Sequence, residues 1–220
     1  MTRASRSRRS PRRTQPTPRR SLTPLVIGAV VAMVGIAAVA AVMIAGLAPA
    51  GIAEPASSPV AVSGQSLPTL SDPAVDPAVG QRLPSLAGIG LDGQPMQIEP
   101  DDGPMAIVVL AHWCPHCQSE LPDLVQFIDG GGVPAGVSVV GLSTAIDAVR
   151  PNYPPSAWFE REGWRQPTLI DDANSTALRA LGLDAFPGFV FVGGQGAVSL
   201  RLTGEIGADR FGEILASLAP

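Results

Sequence analysis

The sequence predicts an α/β domain, a central mixed β-sheet flanked by helices, preceded by one transmembrane helix and a disordered tether. Three observations lead there. From Met105 onward, strand-like and helix-like segments alternate and finish with a hairpin and a helix. Leu25 to Ala48 contains no charged residue. Residues 49–79 are rich in proline, alanine and serine and hold no aromatic side chain, so they have little to bury. The expected organisation is a basic cytoplasmic tail over 1–24, a membrane helix over 25–48, a linker over 49–79 and a folded domain over 80–220.

Charge supports this division. All 15 basic residues of the 220-residue chain are arginine, and eight of them lie between Arg3 and Arg20. Residues 51–220 carry all 19 acids and only seven arginines, a net −12. An acidic domain of this kind argues against nucleic acid as a partner, because phosphate binding needs clustered basic residues. The apolar run is long enough, at ~1.5 Å per residue, to cross a hydrocarbon core of roughly 30 Å. Arginines before it and acids after it orient the N-terminus into the cytoplasm. The run exceeds the ~7–15 residues of a signal-peptide core, so a permanent anchor in the cell membrane is expected. Cleavage near Ala50, at Ala48-Pro49-Ala50, is the alternative.

Within the domain, Leu83 to Ile98 reads as a hairpin around Asp92-Gly93. Gly88-Ile89-Gly90-Leu91-Asp92-Gly93 formally matches a dinucleotide fingerprint, but Gln94-Pro95 follows where a helix should open, so no cofactor is expected. Met105 to Ala111 is a continuous apolar run, as in a strand buried on both faces. Leu121, Leu124, Val125 and Ile128 recur at helical spacing until Gly130-Gly131-Gly132. Further strands are expected at Val137–Leu142, Thr168–Ile170, Gly188–Val192 and Ala197–Leu202. Helices are expected at Ser156–Arg161, Ala173–Leu181 and Asp209–Leu218. Trp158, Phe159 and Trp164 read as core.

Chemistry concentrates at Cys114-Pro115-His116-Cys117, where the first long strand hands over to a helix. These are the chain's two cysteines. Spaced three apart on a first helical turn, they can close a disulfide, yet so short a loop adds little to folding stability. With His112 and His116 they make four potential zinc ligands, but all within six residues, whereas a tetrahedral site normally draws its second pair from elsewhere. Redox work fits better, and no metal is expected. At the helix start Cys114 faces unpaired N–H groups and the positive end of the dipole, which favour its anion. Pro115 has no N–H to lose there. Cys117, a turn deeper, is the resolving thiol, acting after a mixed disulfide has formed between Cys114 and a partner.

Trp113-Cys114-Pro115-His116-Cys117 resembles the active-site signature of the thioredoxin superfamily, and the surrounding pattern is similar to its membrane-anchored TlpA/ResA branch. Glu120 and Pro122 sit where that branch has a glutamate and a proline after the motif. Phe186-Pro187 stands at the place of the family's cis-proline. Phe189 to Val192, the glycine-rich turn and Thr203-Gly204 extend the likeness across residues 80–220. The resemblance implies a thioredoxin-like fold, a partner-contacting role for Pro187, and a proton relay from Cys117 through Glu120. Pro115-His116 is the dipeptide of the oxidising DsbA-type enzymes. Phe186 replaces a residue that is usually small or β-branched, and Val108 occupies the place of thioredoxin's buried acid. His112 reads as a bystander at the rim.

The expected function is thiol–disulfide exchange between a Cys114–Cys117 disulfide and cysteines of exported proteins, served by a membrane redox partner. Alternatives are a reductase for cytochrome c maturation and a non-catalytic binding module on the same fold. A His116 donor beside the Cys114 thiolate would stabilise the reduced form by about 1.5–3 kcal/mol, equivalent to about 30–60 mV. For topology, protease added to wall-stripped intact cells should digest a C-terminal tag. A protected tag would place the domain inside.

Overall fold

The computed structural model describes residues 58–219. The basic tail, the membrane helix and the start of the linker expected from the sequence lie outside the described residues, among which no helix is long and apolar enough to cross a membrane. In chain order the strands are β1 (Ala61–Ser63), β2 (Ser85–Gly90), β3 (Pro95–Ile98), β4 (Met105–Leu110), β5 (Ser138–Ser143), β6 (Thr168–Ile170), β7 (Gly188–Val192) and β8 (Val198–Thr203). The helices are α1 (Pro115–Asp129), α2 (Pro155–Arg161), α3 (Thr176–Ala180) and α4 (Gly207–Leu218). The sheet runs β1-β2-β6-β5-β4-β7-β8, with β3 also paired to β2. β4, β5 and β6 are parallel, and every other pairing is antiparallel.

All six residues of β4 are buried, because it is paired on both edges and covered on both faces. Period-two alternation then divides its side chains between two cores. Ile107 and Val109 join Val190, Val192 and Leu142 on one face. Ala106, Val108 and Leu110 join Phe189 and Phe191 on the other, under Leu121 and Leu124 of α1 and Phe211 and Leu215 of α4. Trp158, Phe159 and Trp164 are buried in this second core, as the sequence predicts. The Asp92-Gly93 hairpin joins β2 to β3, with Ile89 opposite Pro95. α3 starts later than predicted, because Ser175 before it has φ +52°, outside helical geometry, and Asp172 and Asp171 then cap its first N–H groups.

The domain boundary differs from the sequence expectation. Residues 58–79, assigned to the linker, form an ordered strap on the fold. β1 pairs with β2, and Val60, Leu67, Leu70 and Ala78 enter the first core. The Leu67 N–H donates to Ala180 O at 2.9 Å and the Leu70 N–H to Gly182 O at 2.8 Å. The approach is so close that a Cβ on Gly182 would lie 2.2 Å from Pro68 O, and its φ of +65° is itself one that favours glycine. The strap ends on a buried ion pair. Arg201 of β8 donates from Nε and Nη2 to the two Asp76 oxygens, and from Nη1 to Leu181 O at 2.6 Å. Both side chains are fully buried.

Truncating one member of a buried pair leaves the other charge uncompensated, at a cost of about 3–5 kcal/mol. Asp76→Asn should lose that much in urea unfolding at pH 7, whereas Asp76→Leu with Arg201→Met should lose far less. A loss under about 1 kcal/mol for Asp76→Asn would contradict the assignment. Hydrogen bonds from Arg201 hold the Asp76 carboxyl below its ordinary 3.8. Its contribution is therefore present above that value and lost as pH falls through the lowered native one, and Asp76→Asn should lack this acid-dependent component.

Candidate active site

The two cysteines owe their position to the junction between β4 and α1. The buried strand delivers the chain through Ala111, His112 and Trp113, and Cys114 becomes the N-cap of α1 with extended φ, ψ of −75°, 122°. Its carbonyl accepts the first helical bond, from the Gln118 N–H at 3.1 Å, and Pro115 takes the first helical position. Both cysteines are free thiols. Both residues are buried, but Cys114 retains 5% exposure whereas Cys117 has none.

A second segment completes the site. β7 pairs antiparallel to β4 with Val109 opposite Gly188, which brings residues 186–187 beside the start of α1. A Cβ at Gly188 would come within 2.9 Å of the Leu183 side chain and 3.2 Å of Ala185 O, so the packing here is close. The Phe186–Pro187 peptide bond is cis. The Cys114 thiol donates to Phe186 O at 3.5 Å, and the Gly204 N–H donates to Pro187 O at 2.8 Å. Phe186 also stacks edge-on against Trp113, centroids 5.4 Å apart. The Trp113 indole N–H donates to Ala145 O at 2.7 Å, and the Arg150 guanidinium lies 4.6 Å from its ring centre. Trp113 thus forms one wall of the site.

The Cys117 sulfur accepts the Ala111 N–H at 3.5 Å. Burial pushes its thiol well above the ordinary 9.0, and the charges at Cys114 and Glu120 push the same way. Glu120 is 2% exposed. Its carboxylate accepts the Ile206 N–H at 3.2 Å and the Gly207 N–H at 3.0 Å, capping the N-terminus of α4. Burial raises the Glu120 carboxyl from its ordinary 4.5 despite those two donors, and Glu205 and Asp123 add to the rise. Glu120, expected from the resemblance to relay a proton, is thus seen to cap α4, a role that its spacing within α1 gave no sign of.

His116 differs from the sequence expectation. Its side chain is 72% exposed, and its Nδ1 meets Glu205 Oε1 rather than the Cys114 sulfur. Hydrogen bonds from His116 and then Ser119 hold the Glu205 carboxyl below its ordinary value. His112, expected at the rim, is fully buried. Its Nδ1–H donates to Pro151 O at 2.8 Å and its Nε2 accepts the Asp147 N–H at 3.3 Å, which fixes the neutral tautomer. His112 O accepts the Gln118 and Asn152 side-chain amides. The residue holds the loop after β5 against the site. Glu205, Arg150 and this role of His112 were missed, and no local pattern marks any of them. Among the described residues no group of three or more His, Cys, Asp or Glu side chains is placed to hold a metal ion.

No family model matches the sequence, and no curated protein matches it either. Solved structures do match. A DsbF homologue from Corynebacterium diphtheriae superposes with a TM-score of 0.55 at 18% identity, over 69% of this chain and 99% of that one. The fold is thioredoxin-like. A putative thiol:disulfide interchange protein DsbE from Chlorobium tepidum gives 0.53 at 21% identity, over 64% and 98%. StoA from Bacillus subtilis gives 0.51 at 17%, over 63% and 98%. At these identities the likeness establishes the thioredoxin-like architecture alone.

The cap on α4 has a measurable consequence. Glu120→Gln keeps an oxygen acceptor for the N–H groups, whereas Glu120→Ala removes it, so at pH 4 Ala should cost about 0.5–2 kcal/mol more than Gln in urea unfolding. A carboxyl whose folded-state value is raised contributes most below the unfolded value and loses that contribution as pH rises. Between pH 4 and pH 7 the wild type should therefore lose stability relative to Glu120→Gln. Parallel pH profiles would contradict the raised carboxyl.

Proposed function

We propose that this chain is a thiol–disulfide oxidoreductase working on protein cysteines outside the cytoplasm. The observation that carries the proposal is the placement of Cys114. It is the member of a buried pair that keeps some exposure, at a helix N-cap, with its sulfur 3.5 Å from the carbonyl that precedes a cis-proline. Thiol–disulfide exchange needs an attacking sulfur at the surface, a second thiol in reach, and backbone beside them to align the partner. The structural neighbours named thiol:disulfide interchange proteins support the same chemistry.

In the reducing direction, the Cys114 thiolate attacks one sulfur of a partner disulfide. The partner's other sulfur leaves as a thiolate, and a mixed disulfide joins Cys114 to the partner. Cys117 then loses its proton and attacks Cys114, which frees the partner's second thiol and leaves the Cys114–Cys117 disulfide. Two electrons pass to the partner, and the oxidising direction is the reverse. The Cys117 proton must be removed against its burial. We assign its acceptance to Glu120, whose own proton affinity is raised and whose charge is felt at Cys117. Pro187 presents the partner-facing backbone edge, with Phe186 and Trp113 as its apolar flank. No bound cofactor is needed for these steps.

The anchor over 25–48, with the N-terminus in the cytoplasm, would hold the domain on the outer side of the cell membrane, beside a membrane redox partner that resets the pair. A second reading, a reductase of the kind cytochrome c maturation requires, is favoured by one observation. His116, whose cation would promote the oxidising direction, is paired to Glu205.

Cys117→Ala should accumulate mixed disulfides with partner proteins, resolvable on non-reducing gels, and Cys114→Ala should accumulate few. Both variants should lose insulin-disulfide reduction. Equal trapping by both would contradict this division of roles, and a wild type inert toward insulin and toward dithiols would leave a binding module instead.

A further inference from the structure

The loop between β8 and α4 is pinned on both sides of Glu205. Before it, the Gly204 N–H is bonded to Pro187 O at 2.8 Å. After it, the Ile206 and Gly207 N–H groups are bonded to Glu120 at 3.2 and 3.0 Å. Glu205 is thus a side chain on a backbone fixed to the cis-proline at one end and to α1 at the other. Its carboxylate accepts from His116 Nδ1 and from the Ser119 hydroxyl, one residue on each side of Cys117 in α1. An acceptor so placed needs no rearrangement to engage the motif histidine.

Resting on the oxidoreductase reading above, we infer that Glu205 is a positioning residue that sets the redox poise of the cysteine pair, by drawing His116 away from Cys114 and cancelling its charge. A cation beside the Cys114 thiolate stabilises the reduced form and makes the pair a stronger oxidant. Pairing the imidazole with a carboxylate removes most of that field and adds a negative charge near the same helix start. Of the groups facing Glu205, Glu120 is also acidic and Ser119 is neutral, so His116, when protonated, is the group that can balance its charge. A Cys-Pro-His-Cys sequence that reads as oxidising is thereby moderated by a residue 89 positions away. The pair is largely exposed, so water and salt screen it and the effect is modest.

The test is glutathione redox titration of the purified full-length chain at low ionic strength, comparing wild type, Glu205→Gln, His116→Ala and the double variant. Glu205→Gln keeps an acceptor for Nδ1–H and removes only the charge. It should shift the equilibrium toward the dithiol by about three- to tenfold, a rise of about 15–30 mV in potential. At least half of that shift should vanish in the His116→Ala background, because the charge acts through His116. An unmoved potential in Glu205→Gln would overturn the inference, as would an equal shift in both backgrounds. A wild type with no Cys114–Cys117 couple titratable by glutathione would overturn the oxidoreductase reading itself and the inference with it.

Discussion

The pairing of β4 on both edges is the constraint from which the site follows. β4 is apolar at all six positions and buried on both faces, so its register against β5 and β7 has no freedom to slip without moving a core side chain to the wrong face. The strand must therefore end where it does, and the chain must turn into α1 with Cys114 as the N-cap. The same register sets Gly188 opposite Val109 and delivers the Phe186–Pro187 bond to the mouth of the helix. Two segments more than seventy residues apart meet because one strand is packed on every side. The 3.5 Å contact between the Cys114 thiol and Phe186 O is a product of sheet pairing.

Electrostatics within this frame separate the two sulfurs. Cys114 keeps a small exposed surface, while Cys117 is sealed against Ala111 with its thiol raised by burial. Glu120 occupies the space between α1 and α4 and serves both. It supplies the acceptor that the first N–H groups of α4 lack, and its charge bears on Cys117. Two backbone donors hold this carboxylate in place, while burial raises its proton affinity. That combination suits the proton-accepting role proposed for it.

Local signals in the sequence were read well and long-range ones were not. The Asp92-Gly93 turn, the unbroken apolar run from Met105 and the helical spacing after Cys117 each place an element, because their causes lie within a few residues. Cys114 and Cys117 carry their chemistry in their spacing, and Pro187 was placed by family resemblance. The strap over 58–79 escaped notice because Val60, Leu67, Leu70 and Ala78 are scattered among prolines and polar residues with neither period. Asp76 finds Arg201 across 125 residues, and His116 finds Glu205 across 89. A lone acid shows no partner in a sequence. His112 was misjudged for a related reason: its neighbours Asp147 and Pro151 come from the loop after β5, which only the sheet brings near.

The central claim is that the two cysteines divide into a nucleophile with some solvent access and a sealed resolving thiol. Timed alkylation of the reduced chain with iodoacetamide near pH 7.5, followed by peptide mass spectrometry, tests that division directly. Labelling should accumulate at Cys114 while Cys117 stays unmodified until denaturant is added. Labelling of Cys117 at a comparable rate in the folded chain would contradict the account.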